Sequence, residues 1–326
     1  MRIMLTRRPP GAFGYITDAW INAFKSAGHS VLRYDNNINT WKQFCPDVYI
    51  GSYGHRQNIP NKLDRGNCKV VIQVNPYCDT VIKGISSTAD DIRWVKSVQA
   101  DSVIGYGYDA DKKYWEYWES RFGVKWTPMP IAGDVTIHRR HCGLKEYDIC
   151  YVGGYWKYKA VNIDKYLIPI FTCKNYKSQL YGYGKWPGNI CKGKISDDGV
   201  NKLLTECIVG PCVCEPHTTV HRIDIPERLF KVILSGGIAV HDRIDGINDV
   251  IKSVISSTDE YDYARNIHEI CVDMNDEDRK NLADKQYNDI ISNHTYHHRV
   301  ARLLSDIGFN NEAESMLDAL APLVQQ

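Results

Sequence analysis

Short apolar runs that each end in a glycine, proline or polar loop recur along this chain, and that rhythm constrains its fold more than any other feature. Ile3-Met-Leu5 runs into Arg7-Arg-Pro-Pro-Gly-Ala-Phe-Gly14, residues 47–50 into Gly51-Ser-Tyr-Gly-His55, and residues 69–74 into Asn75-Pro76. Residues 102–104 run into Gly105-Tyr-Gly107, and residues 124–126 into Thr127-Pro-Met-Pro130. Strands buried on both faces of a parallel sheet read as continuous apolar runs, with ligand loops at their carboxyl ends. Between the first run and a strand over 30–34, Ile16, Ala19, Trp20, Ala23 and Phe24 recur at helical spacing, with Gly28 as C-cap. A further helix is expected over 109–121.

Pro128, Pro130 and Gly133 interrupt the rhythm and mark a domain boundary. A second series follows, with strands expected at 147–152, 168–172, 179–181, 208–209 and 237–240. Helices are expected at 227–234, 276–307 and 312–324. At 326 residues the chain suits two domains. The reading is an α/β protein of two Rossmann-like domains with an inter-domain cleft and a C-terminal helix: residues 1–133, 134–305, and a tail at 306–326.

Charge divides these parts. Residues 1–200 carry 28 Lys and Arg against 18 Asp and Glu, whereas 201–326 carry 12 against 21. A basic first part suits an anionic ligand, a nucleotide or a nucleic acid. The first eight residues lack the apolar core of a signal peptide, and no apolar run reaches bilayer length. Eleven scattered cysteines, an odd number, read as reduced thiols of a cytoplasmic protein. Cys212, Cys214, His217 and His221 have a zinc-like spacing, but no second Cys pair accompanies them and Pro211 and Pro216 break the segment. His294, His297 and His298 share a helix face without a completing carboxylate. No metal and no bound cofactor are expected.

Four stretches carry a family resemblance. They are Tyr147-Asp-Ile-Cys-Tyr-Val-Gly-Gly154, Leu180-Tyr-Gly-Tyr-Gly-Lys-Trp186, residues 226–242 followed by Gly246, and Asn293-His-Thr-Tyr-His-His-Arg-Val300. In order and spacing they resemble the GT-B glycosyltransferases, and within them the group typified by the spore-maturation protein CgeB. The resemblance covers roughly residues 147–305 and implies a nucleotide-sugar donor, as co-substrate, bound by the C-terminal domain.

The chemistry of such a donor agrees with those residues. Its diphosphate gains negative charge as the glycosidic bond breaks, and backbone N–H groups with cations stabilise that charge. Gly153 and Gly154 allow close backbone approach, Lys157 or Lys159 is expected to reach a phosphate, and Arg222 and Arg228 flank the start of helix 227–234. The resembling group has a glutamate, expected to hold the ribose, where this chain has Lys231. A lysine cannot accept those hydrogen bonds, so Glu227 takes the role or Lys231 meets phosphate.

Deprotonating an acceptor hydroxyl needs a carboxylate or histidine. Asp18, His55 and Asp79 lie at or near predicted strand ends and are the candidates. The acceptor is a saccharide, a protein, a small molecule or a modified, hydroxymethylated base in phage-type DNA. For DNA, Arg7 and Arg8 would follow phosphates while Phe13, Tyr15 or Tyr53 stack on an exposed base. The competing reading is a non-catalytic sugar- or nucleotide-binding protein of the same shape.

Overall fold

The computed structural model describes residues 1–9, 11–52, 56–74, 88–140, 143–219 and 225–325. They form two compact units, Met1–Thr136 with Tyr296–Gln326, and Ile137–Thr295.

The first unit is built on β1 (Arg2–Leu5), β2 (Ser30–Arg33), β3 (Val48–Ser52), β4 (Lys69–Gln73), β5 (Ser102–Gly105) and β6 (Lys125–Pro128). All pair in parallel, in the order β2-β1-β3-β4-β5-β6. The order reverses at β1 and β3, so the loops leaving these two strands flank the switch point where open α/β sheets hold ligands. Helix Ala12–Ser26 follows β1 and buries Ile16, Ala19, Trp20, Ala23 and Phe24, the five residues whose spacing announced it. Across the sheet, Trp115 and Trp126 stack with centroids 5.5 Å apart and planes 3° from parallel. Gly105 makes room for that stack, since a Cβ there would stand 2.8 Å from the Trp115 ring.

The second unit contains β7 (Tyr147–Val152), β8 (Ser178–Tyr181), β9 (Cys207–Cys212), β10 (Ile238–His241) and β11 (Ile255–Ser256), again all parallel, in the order β11-β10-β9-β7-β8. Its switch point lies at β7 and β9. Helix Glu227–Leu234 buries Leu229, Phe230, Val232, Ile233 and Leu234. Val232 occupies the space a Cβ on Gly210 of β9 would need.

The helix expected over 109–121 is a 3-10 helix, Asp109–Tyr114, and a separate α-helix, Tyr117–Phe122. Three further expectations differ from the structure. Residues 168–172 form helix Ile168–Thr172, not a strand. The apolar run Ile-Pro-Ile-Phe continues a helical segment that starts at Lys157, with the π-helical turn Ile163–Leu167 just ahead of the proline. The long helix expected over 276–307 is two, Asp276–Asn293 and Tyr296–Asp306. The third concerns residues 296–305, which belong to the first unit rather than the second. The Tyr296 N–H donates to the Gly133 carbonyl at 2.9 Å, His297 Nε2 lies 2.7 Å from Ser26 Oγ, and Thr127 Oγ1 donates to Asp306 at 2.8 Å. Buried Val300, Leu303 and Leu304 complete the attachment. Helix Asn310–Val324 packs on the same helix and stays with it.

Each unit contains a histidine held neutral. Burial, then the neighbouring Lys231 charge, pushes His138 down to about 3. Burial, then His298, pushes His297 down to about 4. Unfolding lets each imidazole bind a proton near its ordinary 6.5. Between these values the unfolded chain binds more protons than the folded one, so stability rises with pH and is lost on acidification. The slope approaches about 1.4 kcal/mol per pH unit per histidine. The expected result is a urea midpoint that falls from about pH 6.5 downward, with His138→Phe removing part of the slope.

Candidate functional site

The carboxyl ends of β7 and β9 bring together residues far apart in sequence. Val152 ends β7 and Gly153-Gly154 follow it; Arg228 stands in the first turn of helix Glu227–Leu234. The Arg228 guanidinium lies 3.9 Å from the Tyr151 ring centroid, and its Nε and Nη2 donate to the Val152 carbonyl at 2.9 and 2.7 Å. Its Nη1 is buried and has no hydrogen-bond partner, and no carboxylate pairs with it among the described residues. A guanidinium fixed on two sides with its third nitrogen unmet is poised for an anion, because an unpaired buried donor is costly. Gly153 is required beside it: a Cβ there would overlap Arg228 Nη2.

One further cation approaches. Lys159 is buried, with its Nζ 5.1 Å from the Trp156 ring centroid. Burial pushes the Cys212 thiol at the end of β9 up to about 12, while Arg228 and Lys159 both oppose the rise, so their charges converge on this strand end. Of the two lysines offered by the sequence, Lys157 is exposed at the start of helix Lys157–Asn162 and Lys159 is the buried one. Lys231 pairs with Glu227 at 3.1 Å across one turn. Glu227 therefore has a partner of its own, and Lys231 faces buried His138. Arg222 lies outside the described residues.

One grouping escaped the sequence reading. Cys214, His241 and Asp242, all buried, meet where β9 and β10 end. Asp242 Oδ1 lies 2.7 Å from His241 Nδ1 and 3.1 Å from Cys214 Sγ, and Oδ2 accepts the Cys214 N–H at 3.1 Å. These contacts pin the two strand ends together and satisfy a fully buried carboxylate. The only local signal was a polar His-Asp pair closing an apolar strand. Cys212, whose spacing to Cys214 and His217 resembles a zinc set, donates to the Gly210 carbonyl at 3.6 Å. His217 stacks on Tyr158 at 6.0 Å, and His221 lies outside the described residues.

In the first unit, Asp18 is bound by two guanidiniums. Arg8 Nε reaches one oxygen at 2.6 Å, and Arg33 Nη2 binds the other. Arg33 also donates to the Thr6 carbonyl at 3.1 Å, so the carboxylate anchors the loop leaving β1. Both oxygens are thus engaged, which suits an anchor better than a base. Arg8 lies 5.3 Å from the Tyr15 ring centroid, and Phe13 stacks on Tyr106 at 6.2 Å. The Arg7 N–H donates to Gln57 at 3.2 Å. His55, Asp79 and Tyr53 lie outside the described residues. None of the helices in the described residues is long and apolar enough to cross a membrane, and the nine described cysteines are free thiols.

Residues 168–305 match the family described as glycosyl transferase-like. No curated protein matches the chain by sequence. The fold is similar to that of T4 phage BGT solved with its UDP-glucose substrate, at 12% identity and a TM-score of 0.57, covering all of both chains. It is also similar to sucrose-phosphate synthase from Thermosynechococcus elongatus, at 10% identity and TM-score 0.58, covering 93% of this chain and 97% of that one. A third is the trehalose-6-phosphate synthase OtsA, at 9% identity and TM-score 0.57, covering 94% and 99%. The chain has the GT-B fold of two Rossmann-like domains.

Proposed function

We propose that this chain is a glycosyltransferase that moves a sugar from a nucleotide-activated donor to an acceptor hydroxyl, with the donor held by the second unit. The observation that carries this reading is Arg228, clamped on Val152 and Tyr151 at a glycine loop with one buried nitrogen unpaired. In the transfer, the acceptor oxygen bonds to the anomeric carbon as the bond to phosphate breaks, and the nucleoside diphosphate departs with the electron pair. Arg228 and the Gly153–Gly154 backbone meet that growing charge, with Lys159 adding to it. A base on the first unit takes the acceptor proton. Asp18 is occupied, so His55 and Asp79 are the substitutions to make first.

For the acceptor, we favour a hydroxymethylated base in DNA. The T4 phage protein of similar fold is described as a DNA-modifying beta-glucosyltransferase, and Arg7, Arg8 and Tyr15 put cations and an exposed ring on the loop and helix after β1. The CgeB-like assignment rests on the four sequence stretches and is part of this proposal, as is a cytoplasmic setting for the free thiols.

Thermal-shift measurements against UDP, GDP, ADP, CMP and their sugars, with donor hydrolysis followed alongside, test the donor site. Stabilisation with turnover is expected from one nucleotide series, followed by sugar incorporation into hydroxymethylated DNA. The Glu227–Lys231 pair, standing where the resembling group has a ribose-binding glutamate, favours a second reading as a binding protein. Stabilisation without any turnover would select it.

A further inference from the structure

The second unit carries an exposed aromatic surface on the loops after β7 and β8. Of the eight tryptophans, seven are buried and only Trp156 is exposed. Trp156 stacks on Tyr183, itself 58% exposed, with ring centroids 6.2 Å apart and planes 7° from parallel. Leaving two large rings in water is unfavourable unless something covers them.

The pair is held by the backbone beneath it. Gly154 lies under both rings: a Cβ there would overlap Tyr183 and stand 2.8 Å from Trp156. The Gly153 N–H donates to the Tyr181 carbonyl and the Tyr155 N–H to the Tyr183 carbonyl, each at 2.9 Å, so the loops after β7 and β8 are laced together. A Cβ on Gly184 would overlap the Tyr155 carbonyl oxygen. The rings are therefore presented by a preformed scaffold, which limits the entropy lost on binding.

The two loops that carry this pair are rich in lysine. Residues 153–163 contain two lysines and residues 182–195 three, and neither segment contains an Asp or Glu. Lys157, Lys185, Lys192 and Lys194 are exposed, and none makes an ion pair with a described residue. Acidic groups near it are Asp164, whose oxygens accept the Tyr155 hydroxyl at 3.0 and 3.2 Å, and Glu215, beside the Tyr158–His217 stack, 3.9 Å from His217. Parallel exposed rings among unpaired lysines match what a single-stranded nucleic acid requires: π-faces for its bases and cations for its phosphates. A neutral sugar would leave the lysines without a role.

We infer that Trp156 and Tyr183 form a stacking platform for an unpaired base of a nucleic-acid strand, with Lys157 and Lys185 as its phosphate contacts. The platform needs neither donor nor turnover, so it stands or falls apart from the sugar-transfer reading. In that reading it would bind the nucleic acid that carries the acceptor base.

Because Trp156 alone among the tryptophans is exposed, its emission reports occupancy directly. Oligothymidylate is expected to quench the iodide-accessible fluorescence of the full-length protein, and Trp156→Phe should abolish that quenching. By anisotropy of a labelled oligonucleotide, Trp156→Ala and Tyr183→Ala should each weaken binding about tenfold. Lys157→Ala and Lys185→Ala should each lower the slope of log K against log salt by about 0.7. Circular dichroism of each variant checks the fold, and Trp156→Phe, which keeps a ring, guards against misfolding of the alanine variants. Three results would each overturn the inference: no quenching by oligothymidylate, undiminished binding in both alanine variants, or quenching by UDP alone. The last would give the rings to the donor nucleotide.

Discussion

Arg228→Ala should weaken nucleoside-diphosphate binding by about 10- to 100-fold, the loss expected when one charge-assisted contact of about 1.5–3 kcal/mol is removed. The argument starts from geometry. Two of the three guanidinium nitrogens are committed to the Val152 carbonyl, and the plane rests on Tyr151. The side chain therefore has little freedom left to lose when an anion meets Nη1. Alanine also releases the Val152 carbonyl, so a lower melting temperature is expected without ligand. Arg228→Lys separates the two effects: it keeps the charge but cannot make the forked bond and the stack together. Calorimetric titration with the nucleotide that stabilises the wild type should show lysine recovering only part of the affinity. Unchanged binding in the alanine variant would move the donor away from this strand end.

Gly182→Ala should be the most damaging single-atom-scale change in the second unit. A Cβ on Gly182 would overlap the carbonyl oxygen of Gly153, and backbone faces backbone there. No rotamer can relieve such a clash, so the loops after β7 and β8 must part. The expected cost is about 2–4 kcal/mol, a fall in melting temperature of roughly 5–15 °C. Nucleotide binding should weaken with it, because Gly153 and Gly154 move. Gly143→Ala is the control: nothing lies within 4 Å of its added Cβ, and a change within about 0.5 kcal/mol is expected. Equal melting temperatures for the two variants would show that the interlock is slack.

Much of the fold was legible before any coordinates. The strand over 147–152 and the helix over 227–234 fall where the apolar pattern put them, and Gly28 follows the first helix in a left-handed conformation at φ 77°. Strand–loop–helix rhythm is local: it depends on neighbours within a few residues, which the chain displays directly. The run at 168–172 misled because a short apolar segment with β-branched residues fits a strand or a buried helix equally, and only the packing around it decides.

The sequence by itself determined two parallel α/β halves, a glycine loop at the end of β7, and an arginine at the head of helix 227–234. Tertiary structure alone decided that residues 296–326 return to the first unit and that Asp18 is consumed by Arg8 and Arg33. It alone closed Asp242 on His241 and Cys214 and left one nitrogen of Arg228 unmet. The division has one physical cause. Periodicity and turn chemistry are set by covalent neighbours, whereas the pairing of a charge depends on which distant groups the folded chain brings within about 3 Å of it.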